Sequence, residues 1–241
     1  MPVSISIQKS LLSFPHKILH HHAFAWRDMI LVLGEVERES VVYCLHSGTW
    51  VKKETTGDIP RQLLEKAHII NDTLVVLGTT IDVEIVHTLN LKTWVWTRLY
   101  TYGTPGTLPS TMCGVCTWVH KGRIYCFGGG TFDLPSNQLL CYDPSNNTWQ
   151  KITQMGDIPS PRDFSEAVVR DDTVYLFGGR VNTYVNDLFI LEMGSMTWKK
   201  IHGKEESGNV PRNSNFQRSF ILVSRSVAVY FGLIKTAFSV L

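Results

Sequence analysis

Cysteine spacing offers the first candidate for chemistry. Cys113-Gly-Val-Cys116 is the chain's one CxxC motif. Such a pair binds a metal when further ligands join it, or acts as a redox site when it lies at a helix N-terminus. The residues around it instead predict a first β-strand, on which side chains three positions apart point to opposite faces. We therefore interpret both cysteines as structural.

A histidine run and three carboxylates are the remaining candidates. His20-His21-His22, with His16 nearby, contains imidazoles of the kind that bind transition metals. Alternation along a strand sends neighbouring imidazoles to opposite faces, so this run does not converge on one ion. Acid–base catalysis likewise needs convergent groups. The carboxylates near the starts of predicted first strands are interpreted as solvated loop residues: Glu65, Asp163 and Glu166. The sequence thus predicts no catalytic residue, no metal site and no cofactor.

A repeated phrase organises the elements that carry these residues. The dipeptide Thr-Trp occurs four times, at steps of 44, 55 and 49 residues, as Thr49-Trp50, Thr93-Trp94, Thr148-Trp149 and Thr197-Trp198. Each copy follows an apolar run that ends in glycine, at Gly34, Gly78, Gly128 and Gly178. A period of this size indicates repeated supersecondary units.

Each repeat predicts four β-strands. The apolar runs are short, rich in Val, Ile, Tyr and Phe, and bounded by turn residues, and no stretch shows sustained helical periodicity. The second strand is predicted to end at the glycine and the fourth to start at the Trp. Polar links such as Gly57-Asp-Ile-Pro60 and Gly156-Asp-Ile-Pro159 lead into the next repeat. Four antiparallel strands per repeat without helices suit the blades of an all-β propeller.

The chain resembles the kelch-repeat β-propellers over roughly residues 15 to 232. The resemblance rests on the glycine doublets, the Tyr-Asp pair, the repeated Trp and three Pro-Arg pairs, namely Gly128-Gly129, Gly178-Gly179, Tyr142-Asp143, Pro60-Arg61, Pro161-Arg162 and Pro211-Arg212. In the first two repeats the doublet changes to Gly34-Glu35 and Gly78-Thr79. The fold class implied is a kelch-type propeller with four full units and a partial fifth.

The unit boundaries leave the closure of the propeller open. We predict a single domain, 1–241, with units at about 15–60, 61–108, 109–159, 160–210 and a partial unit at 211–241. The fifth unit has Leu233 in place of the second glycine, and no Thr-Trp follows. In one interpretation the chain is a piece of a longer propeller, since the family commonly has six blades. In the other it closes as five blades, with Lys235–Val240 as third strand and Val3–Leu12 as fourth.

Composition narrows the classes of partner and compartment. The net charge is only +2, with acidic and basic residues interspersed, so the sequence predicts no binding to nucleic acid. The N-terminus lacks a signal-peptide pattern, and the apolar C-terminal stretch is interpreted as strands rather than a membrane span. Five cysteines, an odd number, fit a reducing compartment. A cytoplasmic or nuclear location is expected.

The resemblance implies a non-catalytic interaction module that binds a protein or peptide through loops on one propeller face, as an adaptor or a ubiquitin-ligase substrate receptor. The predicted binding residues are Arg61, Phe132, Asp133, Asp163, Phe164, Arg180, Asn182, Tyr184, Arg212 and Asn213. For the arginines of the Pro-Arg pairs, a structural role between blades is an equal alternative. A kelch-like metal-dependent or acid–base enzyme, and a truncated isoform without independent function, are the competing hypotheses.

Overall fold

The computed structural model consists of β-strands joined by turns and loops. It describes residues 18–37, 39–60, 66–78, 84–103, 113–131, 134–201, 218–223, 226–231 and 234–236. These residues fall into two compact units, Met1–Thr101 and Tyr102–Leu241. The described ranges are helix-free, which confirms the all-β prediction, and they contain no helix of the length and hydropathy that would cross a membrane.

Unit one contains two sheets, each with four antiparallel strands in chain order. The first consists of β1 (Leu19–Trp26), β2 (Met29–Val36), β3 (Glu39–His46) and β4 (Thr49–Lys53). The second consists of β5 (Thr56–Gly57), β6 (Lys66–Ile70), β7 (Thr73–Leu77), β8 (Ile85–Asn90) and β9 (Val95–Tyr100), of which β5 is an added outer strand. Each sheet corresponds to one predicted repeat.

Unit two continues the same pattern. Its first sheet consists of β10 (Cys116–His120), β11 (Arg123–Phe127), β14 (Leu139–Asp143) and β15 (Thr148–Ile152), with a small hairpin of β12 (Gly130–Thr131) and β13 (Leu134–Pro135). The next consists of β16 (Met155–Gly156), β17 (Glu166–Arg170), β18 (Thr173–Arg180), β19 (Tyr184–Glu192) and β20 (Thr197–Ile201). We number these four-stranded sheets of the two units blades one to four along the chain.

The partial fifth unit forms a three-stranded sheet of β21 (Arg218–Val223), β22 (Ser226–Phe231) and β23 (Ile234–Thr236). A third strand is therefore present, although the sequence after Gly232 lacks the usual polar loop. It runs over Ile234–Thr236 and begins one residue before the Lys235–Val240 strand of the five-blade interpretation, of which residues 237–240 lie outside the described part of the chain. The predicted fourth strand, Val3–Leu12, lies outside the described residues.

The Gly-Asp-Ile-Pro links form an element that the sequence did not predict. β5 pairs in parallel with the start of β9, and β16 pairs in parallel with the start of β20. The carboxylate of Asp58 accepts a hydrogen bond from the backbone N–H of Arg98 (3.3 Å), and Asp157 accepts one from Lys200 (3.2 Å). Each link therefore fastens itself to the outermost strand of the blade that it leads into.

The register of the fourth strands shows that the four Thr-Trp pairs are not structurally equivalent, which corrects the sequence-based interpretation. Trp149 lies opposite Tyr142, and Trp198 lies opposite Leu191, one residue into the hairpin in both cases. In the second blade the same position belongs to Trp96, opposite Leu89. Trp94 is instead the last turn residue, with φ of 60°. The second structural tryptophan is thus Trp96, which makes the repeat spacing more even.

Each unit buries its core between its two successive blades. In unit one the core includes Trp26, Leu31, Leu33, Val42, Cys44, Leu74, Val76, Leu89 and Trp96. In unit two it includes Cys116, Trp118, Tyr125, Phe127, Leu139, Cys141, Val174, Leu176, Phe189, Leu191 and Trp198. Burying one large apolar side chain contributes about 1.5–3 kcal/mol, so packing between the two blades of a unit contributes substantially to its stability.

The predicted end of the second strand at glycine holds in only two blades. β7 and β11 stop just before Gly78 and Gly128, whereas β2 runs past Gly34. β18 continues through Gly178 and Gly179 to Arg180, with an irregular register after Phe177. This extension carries Arg180 to the end of the hairpin and so positions a predicted site residue.

Candidate functional site

Half of the predicted binding residues can be placed, and they lie at one end of blade four. Arg61, Phe132, Asp133, Arg212 and Asn213 lie outside the described residues. Asp163 and Phe164 precede β17, while Arg180, Asn182 and Tyr184 occupy the β18–β19 connection. Because β17 runs antiparallel to β18, the entry to one strand lies beside the exit of the other.

The pair formed by Asp163 and Arg180 is the centre of this cluster. The two residues form an isolated antiparallel bridge, with backbone N–H···O distances of 3.1 and 2.7 Å. The guanidinium also donates to both carboxylate oxygens, from Nε to Oδ1 at 3.0 Å and from Nη2 to Oδ2. These hydrogen bonds raise the pKa of Arg180 above its ordinary value. Asp163 is only 4 % exposed, so it positions Arg180 rather than presenting a carboxylate to solvent.

Phe164 presents an aromatic ring next to that pair. Its side chain is 45 % exposed, and the Arg180 guanidinium carbon lies 5.4 Å from the ring centroid. Its φ of 54° is uncommon for a bulky residue. The Phe164 N–H donates to the Gly114 carbonyl at 2.7 Å, which holds the backbone in this conformation. Strained residues that the surrounding structure maintains are concentrated at functional sites.

Gly114 is a supporting residue that the sequence did not indicate. A Cβ at this position would lie 2.8 Å from Cβ of Asp163, so only glycine allows the two loops to approach. The neighbouring Ser165 is buried, and its hydroxyl donates to the Gly178 carbonyl at 3.0 Å. Neither residue belongs to the repeated phrase, so periodicity carried no signal for them.

Two exposed residues complete the cluster. Tyr184 lies directly opposite Arg180 in the ladder and is 38 % exposed, and Asn182 is exposed in the connecting loop. We name Phe164, Arg180, Asn182 and Tyr184 the Arg180 platform. Its exposed part combines aromatic rings, an amide and a fixed guanidinium.

Arg162 has the structural role that was one of its two interpretations. It is 2 % exposed, and its guanidinium donates to Asp187 Oδ1 at 2.6 Å and Oδ2 at 3.1 Å. It also donates to the Gly178 carbonyl at 2.9 Å. Its own carbonyl accepts from the Gly129 N–H at 2.9 Å. Arg162 therefore connects the glycine doublet of blade three to blade four and is not available to a partner.

The CxxC motif is only partly on a strand, which corrects the prediction for Cys113. Cys113 and Gly114 form a turn, and β10 begins at Cys116. In the N-terminal run, the His22 ring stacks on Phe24 with centroids 6.3 Å apart. Among the residues that the structure describes, no three His, Cys, Asp or Glu side chains form a group able to hold a metal ion.

A shallow depression of about 420 Å³ lies elsewhere in unit two, along the end of β15. Two of its side-chain amides, those of Asn137 and Gln154, are hydrogen-bonded within the protein. Gln154 Nε2 donates to the Asn137 carbonyl at 2.9 Å, and Gln154 Oε1 accepts from Trp198 Nε1 at 2.8 Å. Asn137 donates to the Pro159 carbonyl at 3.3 Å. These contacts tie the link to blades three and four, so the depression is a structural feature.

Two histidines of unit one predict a loss of stability in mild acid. Burial lowers the pKa of His68 to about 4, with smaller contributions from His22 and Lys66. Burial also lowers the pKa of His87. The unfolded chain therefore binds more protons than the native protein between about pH 6.5 and 4. We expect the free energy of unfolding to fall by about 3 kcal/mol for His68 alone as the pH decreases through that window.

Urea titrations at a series of pH values measure this effect. His68→Gln should flatten the slope between pH 6.5 and 4. Asp72, whose pKa is lowered chiefly by a hydrogen bond from Lys92, contributes at lower pH and is separable. An unchanged slope in His68→Gln would mean that this imidazole is not desolvated.

A family model for the KLHDC2/KLHL20/DRC7 Kelch-repeats domain matches residues 20–232. The solved structure of YjhT is similar with a TM-score of 0.61 at 18 % identity, covering 82 % of this chain and 69 % of that chain. At that identity the likeness shows the fold alone. Both findings confirm the predicted kelch-type propeller fold class.

Curated relatives are similar over parts of their length. Kelch domain-containing protein 3 of Rattus norvegicus is 30 % identical over 136 residues, which is 53 % of this chain and 35 % of that protein. Acyl-CoA-binding domain-containing protein 4 of Arabidopsis thaliana is 29 % identical over 167 residues, which is 63 % of this chain and 25 % of that protein. Host cell factor 2 of Homo sapiens is 24 % identical over 220 residues, which is 79 % of this chain and 27 % of that protein. The chain spans about a quarter to a third of the length of these relatives.

Proposed function

Because this chain belongs to the kelch-repeat family of β-propellers, we propose that it is a non-catalytic module that binds a protein or peptide partner through the Arg180 platform. Kelch propellers are generally protein-interaction domains rather than enzymes, and the kelch-repeat relatives suggest the same role. Of the predicted site residues, Phe164, Arg180, Asn182 and Tyr184 contact the partner in this proposal, and Asp163 positions Arg180. Arg61, Phe132, Asp133, Arg212 and Asn213, which lie outside the described residues, stay predicted binding residues.

One observation carries this proposal. Two aromatic side chains, Phe164 and Tyr184, remain substantially exposed on either side of an arginine that a buried carboxylate holds in place. Tyrosine and arginine are enriched among residues that dominate binding energy, and a preorganised side chain loses little entropy on binding. Two exposed rings beside a fixed guanidinium favour a role in recognition.

Quantitative pulldown from cell extract tests the platform. We expect Tyr184→Ala and Arg180→Ala to reduce capture of the specific partners at least about fivefold, because hot-spot truncations typically cost more than 1 kcal/mol. Tyr102→Ala is the matched control, since Tyr102 is 67 % exposed in the same unit and lies beside β15 instead. Partner sets that are identical in all variants would remove the platform from the interaction.

The proposed cellular role is that of an adaptor in the cytoplasm or nucleus, with a ubiquitin-ligase substrate receptor as its specific form. The even charge distribution and net charge of +2 support a protein partner over a nucleic acid or a membrane. The ligase form predicts that a partner captured through Tyr184 accumulates when the chain is depleted. Unchanged partner turnover would leave an adaptor or scaffold role instead.

A further inference from the structure

The charge balance of the Arg180 platform restricts the kind of segment it can bind. Arg180 is paired with Asp163 through two hydrogen bonds, and the nearby Arg162 is paired with Asp187 in the same bidentate way. Each guanidinium therefore faces a carboxylate at direct contact, and the two pairs carry no net charge. An isolated arginine would attract acidic peptides, but these two are already neutralised.

In the described segments 163–166 and 180–184, no residue besides Arg180 carries a positive charge. The loop between Arg180 and Tyr184 consists of Val181, Asn182 and Thr183, and the Val181 N–H donates to the Thr183 carbonyl at 3.1 Å. The exposed charged residue at the start of β17 is Glu166, a carboxylate. An acidic segment at this position would meet a neutral to slightly negative surface.

The guanidinium of Arg180 instead contributes a flat, polarisable plane. It lies over the Phe164 ring at 5.4 Å, and its hydrogen bonds to Asp163 fix its orientation in the described structure. Arginine in such an arrangement stacks with aromatic rings while its edge remains hydrogen-bonded to a carboxylate. Tyr184 extends the same surface on the other side of the loop.

We infer that the Arg180 platform binds an uncharged extended segment of a partner protein through one aromatic or proline ring, which packs on Phe164, Tyr184 and the Arg180 plane. This inference rests on the proposed function and specifies the chemistry of its partner. Charge complementarity selects this occupant, because the platform offers ring surfaces and an amide and no uncompensated cation. The Asn182 amide is placed to hydrogen-bond the backbone of such a segment.

The test uses the full chain and a phage-displayed library of random dodecapeptides, with counter-selection against a Phe164→Ala/Tyr184→Ala variant. We expect the selected peptides to share an aromatic residue or proline and to contain acidic residues no more often than the library. Their Kd should change less than about threefold between 50 and 300 mM NaCl, because screening affects only charged contacts strongly. Tyr102→Ala should bind them like the parent chain.

Salt dependence and peptide composition separate this inference from recognition of an acidic peptide. Enrichment of acidic residues in the selected peptides, or a weakening of their Kd beyond about threefold between 50 and 300 mM NaCl, overturns the inference while leaving the interaction module intact. If no peptide depends on Phe164 and Tyr184, the proposed function fails with it.

Discussion

Arg162→Ala is expected to reduce the free energy of unfolding by about 4 kcal/mol. The substitution removes five side-chain hydrogen bonds, to Ser160, Gly178 and Asp187. It leaves the Asp187 carboxylate, whose side chain is 20 % exposed, without its cationic partner. Breaking a buried ion pair by deleting one member typically costs about 3–5 kcal/mol. Urea denaturation monitored by tryptophan fluorescence measures the change.

Matched variants identify the source of this loss. Lys121→Ala removes an ion pair of similar length, 2.7 Å to Asp172, but both side chains are well exposed, so it should cost less than about 1 kcal/mol. Arg162→Lys keeps the charge but loses the bidentate pairing with Asp187. Its loss of unfolding free energy should lie between those of Arg162→Ala and Lys121→Ala. Removing the stranded carboxylate with Arg162→Ala/Asp187→Ala should recover part of the stability. Equal midpoints for Arg162→Ala and Lys121→Ala would contradict the structural role.

Strand content could be predicted from the sequence because turn residues and glycines recur with the tryptophans. The exact strand pairing could not, since a Thr-Trp pair looks the same in a turn and on a strand. In blade two the hairpin turn ends at Trp94, whose N–H donates to the Asn90 carbonyl at 2.8 Å. That four-residue turn sets the register and gives the core position to Trp96. Register depends on turn geometry and cross-strand contacts, and a repeated dipeptide specifies neither of them.

The candidate site was predictable in part for the same reason. In an antiparallel blade the entry to the first strand and the end of the second lie at the same end, so the sequence predicts Asp163 and Arg180 on one surface. The sequence did not show that they neutralise each other, because the bridge needs β18 to continue past Gly179. Nor did it show the contribution of Gly114, which reaches Phe164 from the loop before blade three's first strand.

Gly156→Ala should reduce the free energy of unfolding by about 3–4 kcal/mol, because the link strand has no room for a side chain at this position. Gly156 has φ of 75°, and a Cβ there would overlap the backbone carbonyl oxygen of Trp198. A backbone atom in a paired strand yields little, so we expect β16 to separate from β20. Separation breaks the hydrogen bonds from Met155 N–H to the Met196 carbonyl and from Asp157 N–H to the Trp198 carbonyl, both 2.9 Å. Each lost bond costs about 1 kcal/mol, in addition to the strain of a left-handed alanine.

Gly122→Ala isolates the clash from the backbone strain. Gly122 has the same φ of 75° in the β10–β11 turn, and nothing lies within 4 Å of the position its Cβ would take. Its substitution should therefore cost only the left-handed penalty of about 1–2 kcal/mol. The difference between the two variants measures what parallel pairing of the link contributes to a blade. Similar losses of stability in the two variants would mean that the link strand contributes little to the blade. The repeated Gly-Asp-Ile-Pro sequence would then serve only to set the backbone conformation of the link. A larger loss at Gly156, accompanied by faster amide exchange at Asp157 and Lys200, would establish the link as an integral fifth strand.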